Sequence, residues 1–199
     1  MRSKEKVRKA KIASNKALLA SVTEEMAQPR MAKSAREQEV NQNAPTAAPD
    51  ALTGLANYRR LSETVESEIK RSERTARSFA VLIFDLNGMK RTNDRHGHPA
   101  GNCALCRLAD IFRSSCRSID TAARYGGDEF AIVLPETGAK EADAVGRKIC
   151  EQLSNDREEP RLSMSVGVAV YPEDGTTNEA LFQAADRALY KMKHLKNTL

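Results

Sequence analysis

Two adjacent glycines, Gly126 and Gly127, stand between two short apolar runs, Thr121 to Tyr125 before them and Phe130 to Leu134 after. A Gly-Gly pair at such a junction predicts a two-residue hairpin turn, because glycine reaches positive φ without a Cβ penalty. The segments flanking this hairpin carry helical spacing. A hairpin between helices excludes a purely parallel sheet. Two carboxylates, Asp128 and Glu129, follow the glycines at once. A hairpin tip holds them rigidly, and bare glycines let a bulky anion approach the backbone. Alone, the string would suit any solvated turn, so its meaning depends on what the rest of the chain supplies.

Residues 79–86 (FAVLIFDL) form a nearly continuous apolar run, which predicts a central strand buried on both faces. Asp85 interrupts it near its end. A carboxylate there is costly unless a cation or hydrogen bonds satisfy it. Ahead of the strand, residues 50–57 (DALTGLAN) are a turn into a helix, with Asn57 as cap. Leu61, Val65 and Ile69 then step by four along one helical face. Residues 87–102 are polar with three glycines and read as a loop region. A helix follows from about Gly101, carrying Leu105, Leu108, Ile111 and Phe112. After the hairpin, a helix over 139–153 turns Ala142, Val145, Ile149 and Leu153 inward. Residues 162–170 (LSMSVGVAV) alternate as a strand. The last helix carries Leu181, Ala184, Ala185, Ala188 and Leu189 and ends around Lys193. The order is helix, strand, helix, hairpin, helix, strand, helix. It predicts an α/β (α+β) domain with a mixed, largely antiparallel central sheet flanked by helices. Asp85 and the hairpin tip then fall on neighbouring central strands.

Charge divides the chain. Residues 1–49 hold ten Lys/Arg and five Asp/Glu, whereas the remainder holds 22 of each, so the net +5 lies wholly in the first quarter. Ile12, Leu19 and Met26 recur every seven residues there, with Asn15 at the other inward position, a short heptad pattern suited to a pairing helix. Residues 1–39 are thus read as a basic helical extension, 40–49 as a polar linker with two prolines, and 50–199 as the compact domain. The basic arm has no aromatic interleaving, and no nucleic-acid motif is present, so nucleic acid is not an expected partner. Cys103 and Cys106 have C-x2-C spacing without a second Cys/His pair, so they are read with Cys116 and Cys150 as reduced thiols of a cytoplasmic protein. No apolar run approaches the roughly 20 residues that span a bilayer, and membrane association is not expected.

If Asp85 converges with Asp128 and Glu129, three carboxylates at strand ends make an oxygen-rich site for a hard cation. Mg²⁺ suits it, because that ion takes one or two carboxylates and leaves its other positions to water and phosphate oxygens. Paired ions of this kind serve in-line phosphoryl displacement. Lys90 lies just past the strand that carries Asp85, and Lys193 ends the last helix. Both could neutralise charge developing on a triphosphate, although each alone would pass for a solvated surface lysine. Asn93 and Asn102 flank the His-Gly-His segment and could present donors and acceptors to a purine edge; turn and cap chemistry would use Asn there too.

From Asp50 to about Asn197 the chain resembles a GGDEF domain, the catalytic module of diguanylate cyclases. The signature is RYGGDEF at 124–130. It is supported by DALTGLANYRR at 50–60, FDLNGMKRTNDRHGHPAGN at 84–102, SVGVAVYPEDG at 165–175 and ADRALYKMK at 185–193. The resemblance implies a fold like the palm of nucleotide polymerases and cyclases. It implies condensation of two GTP into cyclic di-GMP with release of two pyrophosphates, one GTP per subunit of a facing homodimer. It implies Mg²⁺, with Mn²⁺ as an alternative, held by Asp85, the Leu86 carbonyl, and Asp128 or Glu129. Asp128 matches the acid that takes the ribose 3′-hydroxyl proton, and Lys90 and Lys193 match the phosphate-binding lysines. Asn93, His98 and Asn102 match positions around base and ribose, with Gly126 and Gly127 beneath the nucleotide. Arg117 and Asp120 match the R-x-x-D site at which bound cyclic di-GMP inhibits.

The chain departs from the pattern at several points. Asn102 stands where the family usually has Asp. A carboxylate can accept from both guanine N1–H and the exocyclic amine, whereas an amide offers one acceptor oxygen, which predicts a relaxed preference for guanine. Asn87 replaces a second common Asp, Tyr58 replaces a usual Arg, and Lys193-His194-Leu195-Lys196-Asn197 lacks the usual Gly-Arg. The alternative reading is a catalytically weak GGDEF domain that binds GTP or cyclic di-GMP as a sensor or interaction module. The presence of Asp85, Lys90, Asp128, Glu129 and Lys193 argues for the enzyme.

Overall fold

The computed structural model describes residues 48–197. The expected N-terminal helix, and all but the end of the linker, lie outside the described residues. Helix α1 (Tyr58–Thr75) starts where the side chain of Asn57 accepts a hydrogen bond from the Arg60 amide at 2.9 Å. The cap is the one its sequence predicts. Strand β1 (Phe79–Leu86) is buried at every position. Helix α2 (Met89–Ser115) follows, then β2 (Thr121–Arg124), β3 (Glu129–Leu134), α3 (Ala139–Asn155), β4 (Met164–Tyr171) and α4 (Asn178–Asn197).

The four strands form one sheet in the order β2-β3-β1-β4, and every neighbouring pair is antiparallel. The expected mixed character reduces to one isolated parallel bridge, Ala56 to Ala123. Alternation along each strand sorts the side chains onto two faces. Ala80, Leu82, Phe84 and Leu86 of β1 pack with Phe130 and Ile132 under α2 and α3. Phe79, Val81 and Ile83 pack with Ala131 and Val133 under α1 and α4. The sheet is therefore the middle of three layers, and β1 lies inside it with neighbours on both edges. That placement explains its unbroken apolar run.

Two boundaries differ from expectation. Residues 89–102, expected as loop, are mostly helical. The polar residues there line an exposed helix, and the break is confined to Gly97, whose φ of 78° and ψ of 161° fall outside the helical region. Glycine tolerates that conformation, and Pro99 just beyond it suits the first turn of the resumed helix. The last helix runs past Lys193 to Asn197, because nothing in that stretch breaks a helix. No helix among the described residues is long and apolar enough to cross a membrane.

Candidate active site

In register, Asp85 on β1 is the direct partner of Glu129 on β3 and of Ser165 on β4. Directly opposed residues of antiparallel strands share a face. Glu129, Asp85 and Ser165 thus form a polar row across three strands, on the face covered by α1 and α4. The next row inward on that face is Ala131, Ile83 and Gly167. Gly167 lets α4 lie directly on the sheet, since a Cβ there would run into the Ala185 carbonyl and the Leu189 amide. One helical turn beyond Leu189 is Lys193. Its ammonium lies 2.5 Å from Asp85 Oδ1, and the Asp85 residue is only 9% exposed. The cation that a carboxylate at the end of a buried strand requires is, in this state, a lysine of the same chain.

The hairpin turn is wider than expected. It spans Tyr125 to Asp128, and the amides of Tyr125 and Gly126 both donate to the Glu129 carbonyl, at 3.1 and 3.3 Å. Neither Gly126 nor Gly127 adopts positive φ; among the described glycines, Gly54, Gly88 and Gly97 do. A four-residue loop turns the chain without the left-handed conformations a two-residue turn demands. Gly126 serves another end: the Glu129 carboxylate folds over it, and a Cβ at 126 would push that carboxylate aside. The Leu86 amide donates to the Asp128 carbonyl at 3.2 Å, so the backbone carrying Asp128 is tied to the end of β1.

A clasp that the sequence analysis did not foresee anchors this tip. Arg124 Nη2 donates to the Gly127 carbonyl at 2.7 Å, while Nη1 lies 3.3 Å from Asp50 Oδ1. Asp50 also accepts from the amide and hydroxyl of Thr53, at 2.8 and 2.6 Å. Burial pushes the Asp50 carboxyl upward, but the Thr53 hydrogen bonds and Arg124 outweigh it and hold the group below its ordinary value. Opposite charges 74 residues apart give no local signal, which is why this pair was missed.

Helix α2 carries the other candidates. Lys90 is exposed in its first turn, His98 and Asn102 are exposed around the break, and Asn93 is half-buried. In a straight helix, residues 93 and 101 would be about 12 Å apart along the axis. The break at Gly97 instead folds the Asn93 side chain onto Gly101, where a Cβ would displace it. Asn93 Oδ1 is buried with no hydrogen-bond partner among the described residues. An unpaired buried acceptor costs on the order of 1–3 kcal/mol, and a ligand donor would satisfy it. Asn87 turns to Ser163, its Nδ2 lying 3.2 Å from the hydroxyl.

Among the described residues, no three His, Cys, Asp or Glu side chains close into a ready-made metal cage. Of the three carboxylates expected to converge, strand register sets Asp85 beside Glu129, and Asp128 is tied to the end of β1 through its backbone carbonyl. The lysine ammonium on Asp85 already stands in for a cation. This donor set fits an ion that takes one or two carboxylates and completes its shell with water and phosphate oxygens, as Mg²⁺ does.

Arg117 and Asp120 lie elsewhere. Arg117 Nη2 donates to Asp120 Oδ1 at 2.8 Å, to the Pro135 carbonyl at 3.0 Å and to Thr137 Oγ1 at 3.0 Å. Hydrogen bonding to Asp120 raises the Arg117 pKa. Burial, with the Asp120 charge, pushes the neighbouring Cys116 thiol up to about 11, so it is an inert thiol. Pro135 follows the far end of β3, and six residues at 3.3 Å each put this pair about 20 Å from Glu129.

Residues 47–198 match the family described as diguanylate cyclase, GGDEF domain. The bifunctional diguanylate cyclase/cyclic di-GMP phosphodiesterase MucR of Pseudomonas aeruginosa is 38% identical over 148 residues, covering 72% of this chain and 22% of that protein. A sensory box/GGDEF family protein from Caulobacter crescentus superposes with a TM-score of 0.68 at 39% identity, covering 74% of this chain and 99% of that one. The GGDEF domain of DgcB from Caulobacter crescentus, crystallised in complex with c-di-GMP, superposes with a TM-score of 0.68 at 25% identity, covering 76% of this chain and 92% of that one. The chain spans between 18% and 34% of the length of the first curated relatives it matches.

Proposed function

Because the chain belongs to the family of diguanylate cyclase GGDEF domains, we propose that residues 50–199 condense two GTP molecules into cyclic di-GMP and release two diphosphates. The observation that supports this best is the Glu129–Asp85 pair at neighbouring strand ends, with a cation already seated on Asp85. Asp85, the Leu86 carbonyl, and Asp128 or Glu129 would hold Mg²⁺, or Mn²⁺ in its place. When bound, that ion supplies charge neutralisation at the phosphates and lowers the pKa of a coordinated hydroxyl.

The chain's own residues do the rest. Lys90 and Lys193 draw the triphosphate to the strand ends and balance charge on the departing diphosphate. Asn93 and Asn102 hold the base edge, with His98 beside the nucleotide. Gly126 and Gly127 leave the tip bare enough for the phosphates to lie against backbone. Asp128 accepts the proton of the ribose 3′-hydroxyl. That oxygen forms a bond to the α-phosphorus of the GTP on the partner subunit as the bond to diphosphate breaks. A second, symmetric event closes the ring. Each subunit brings half of the reacting pair, so pairing in a two-fold homodimer is part of catalysis by proximity. Residues 1–39, as a helical extension joined by a linker at 40–49, would supply that pairing.

Product inhibition is assigned to Arg117 and Asp120. About 20 Å from the acids of their own chain, they act by holding subunits apart from the productive pairing. Incubation with GTP and Mg²⁺, followed by chromatographic detection of product, tests the reading. Cyclic di-GMP is expected. Binding of GTP without product would instead establish the sensor. GTP and ATP offered singly and together test Asn102, and incorporation of some adenine is the expected result.

A further inference from the structure

Ser165 is a second buried orphan, and it lies at the strand ends. It is 1% exposed, and its Oγ has no hydrogen-bond partner among the described residues. It is the direct cross-strand partner of Asp85, so the two side chains share a face with Cβ atoms about 4.5–5.5 Å apart. Packing asks for no hydroxyl there. The same face of β4 continues as Gly167, Ala169 and Tyr171, and Ala169 and Tyr171 belong to the apolar cluster beneath α1 and α4. A buried hydroxyl without a partner destabilises the fold that carries it, so alanine would suit the resting state better. A group left unpaired in one state and used in another accounts for its presence.

Lys193 distinguishes the two states. At rest its ammonium lies on Asp85 Oδ1. On the reading above, it turns to the triphosphate, and Asp85 loses that donor when its carboxylate must face a cation. Ser165 is one strand away, and its hydroxyl proton rotates to suit a new acceptor. We propose that Ser165 is a positioning residue: in the nucleotide-loaded state its hydroxyl donates to the Asp85 carboxylate and holds it toward the divalent cation. Outer partners of this kind orient metal ligands, and their loss commonly weakens metal affinity 10- to 100-fold. The inference rests on the proposed metal–nucleotide site.

The test is Ser165→Ala, with Mn²⁺ as the probe and a non-hydrolysable GTP analogue present. Bound Mn²⁺ is read from the loss of the free-ion paramagnetic resonance signal. Binding at least about tenfold weaker than in the parent is expected. The Mg²⁺ concentration for half-maximal rate should rise in step, with the rate at saturating Mg²⁺ nearly unchanged. The nucleotide-free variant should melt at the parent temperature or above it, since the hydroxyl it lacks was unpaired. A variant that retains Mn²⁺ as tightly as the parent overturns the proposal, whatever its melting temperature. A lower melting temperature overturns it too, by making Ser165 part of the resting fold. If the parent itself retains no Mn²⁺ with the analogue, the metal–nucleotide reading fails and takes this proposal with it.

Discussion

On the face of the sheet beneath α2 and α3, apolar side chains run the whole length of β1, from Ala80 to Leu86. On the face beneath α1 and α4 they stop at Ile83, and Asp85 takes the next place. The same strand serves both. Behind the acids, Phe84 and Phe130 both pack on Phe112, with ring centroids 5.0 and 5.3 Å away. Phe84 directly precedes Asp85, and Phe130 directly follows Glu129. The difference teaches a division of labour: the apolar face fixes the backbone at the strand ends, so the polar face can present carboxylates there without drifting.

The largest expected effect tests the anchoring side. Phe112→Ala should cost about 3–5 kcal/mol in urea unfolding and also lower activity per folded molecule, because the strand ends that carry the acids lose their backing. A loss under about 1 kcal/mol would remove the anchor from the comparison. Asp85→Asn should lower cyclic di-GMP synthesis by on the order of 10²–10³-fold, the range for removing one preorganised charge-stabilising group. Product formation at the parent rate would mean the polar end is not the reacting end. Gly167→Ala pushes α4 off the sheet and with it Lys193. It should cost about 1–3 kcal/mol in thermal or urea unfolding and raise the KM for GTP. Arg117→Ala should relieve inhibition by added cyclic di-GMP while leaving the initial rate in place, and equal inhibition of variant and parent would detach Arg117 from regulation.

Acid gives the smallest effect. The Asp50 carboxyl is held below its ordinary value of 3.8. Its contribution is therefore fully present above that value and is lost as pH falls from there through its lowered folded value. Melting temperatures scanned downward from about pH 5 should fall less steeply for Asp50→Asn than for the parent. Parallel curves would show that the clasp to Arg124 carries no stability.

Much of this was legible in the chain. The unbroken apolar run of β1, the Asn57 cap and the helical stripes each announce themselves within a few residues, because burial and capping are local demands. Asp85 and the acids beside the double glycine stood out because charge at the edge of an apolar run is expensive. What failed was also local in appearance. The segment before Asn102 looked like loop because its polarity hides the helical period, and only Gly97 breaks it. The double glycine suggested left-handed backbone, whereas Gly126 instead leaves room for the carboxylate of Glu129 lying across it.

Periodicity and the placing of charge were enough to establish the order of elements, the central strand and the acids that end it, since each arises from residues close together along the chain. Tertiary structure alone decided which groups meet. Lys193 reaches Asp85 only because α4 settles on Gly167, Arg124 finds Asp50 across 74 residues, and Ser165 faces Asp85 by strand register. Such contacts depend on how separate elements pack, and no spacing within any one of them records it.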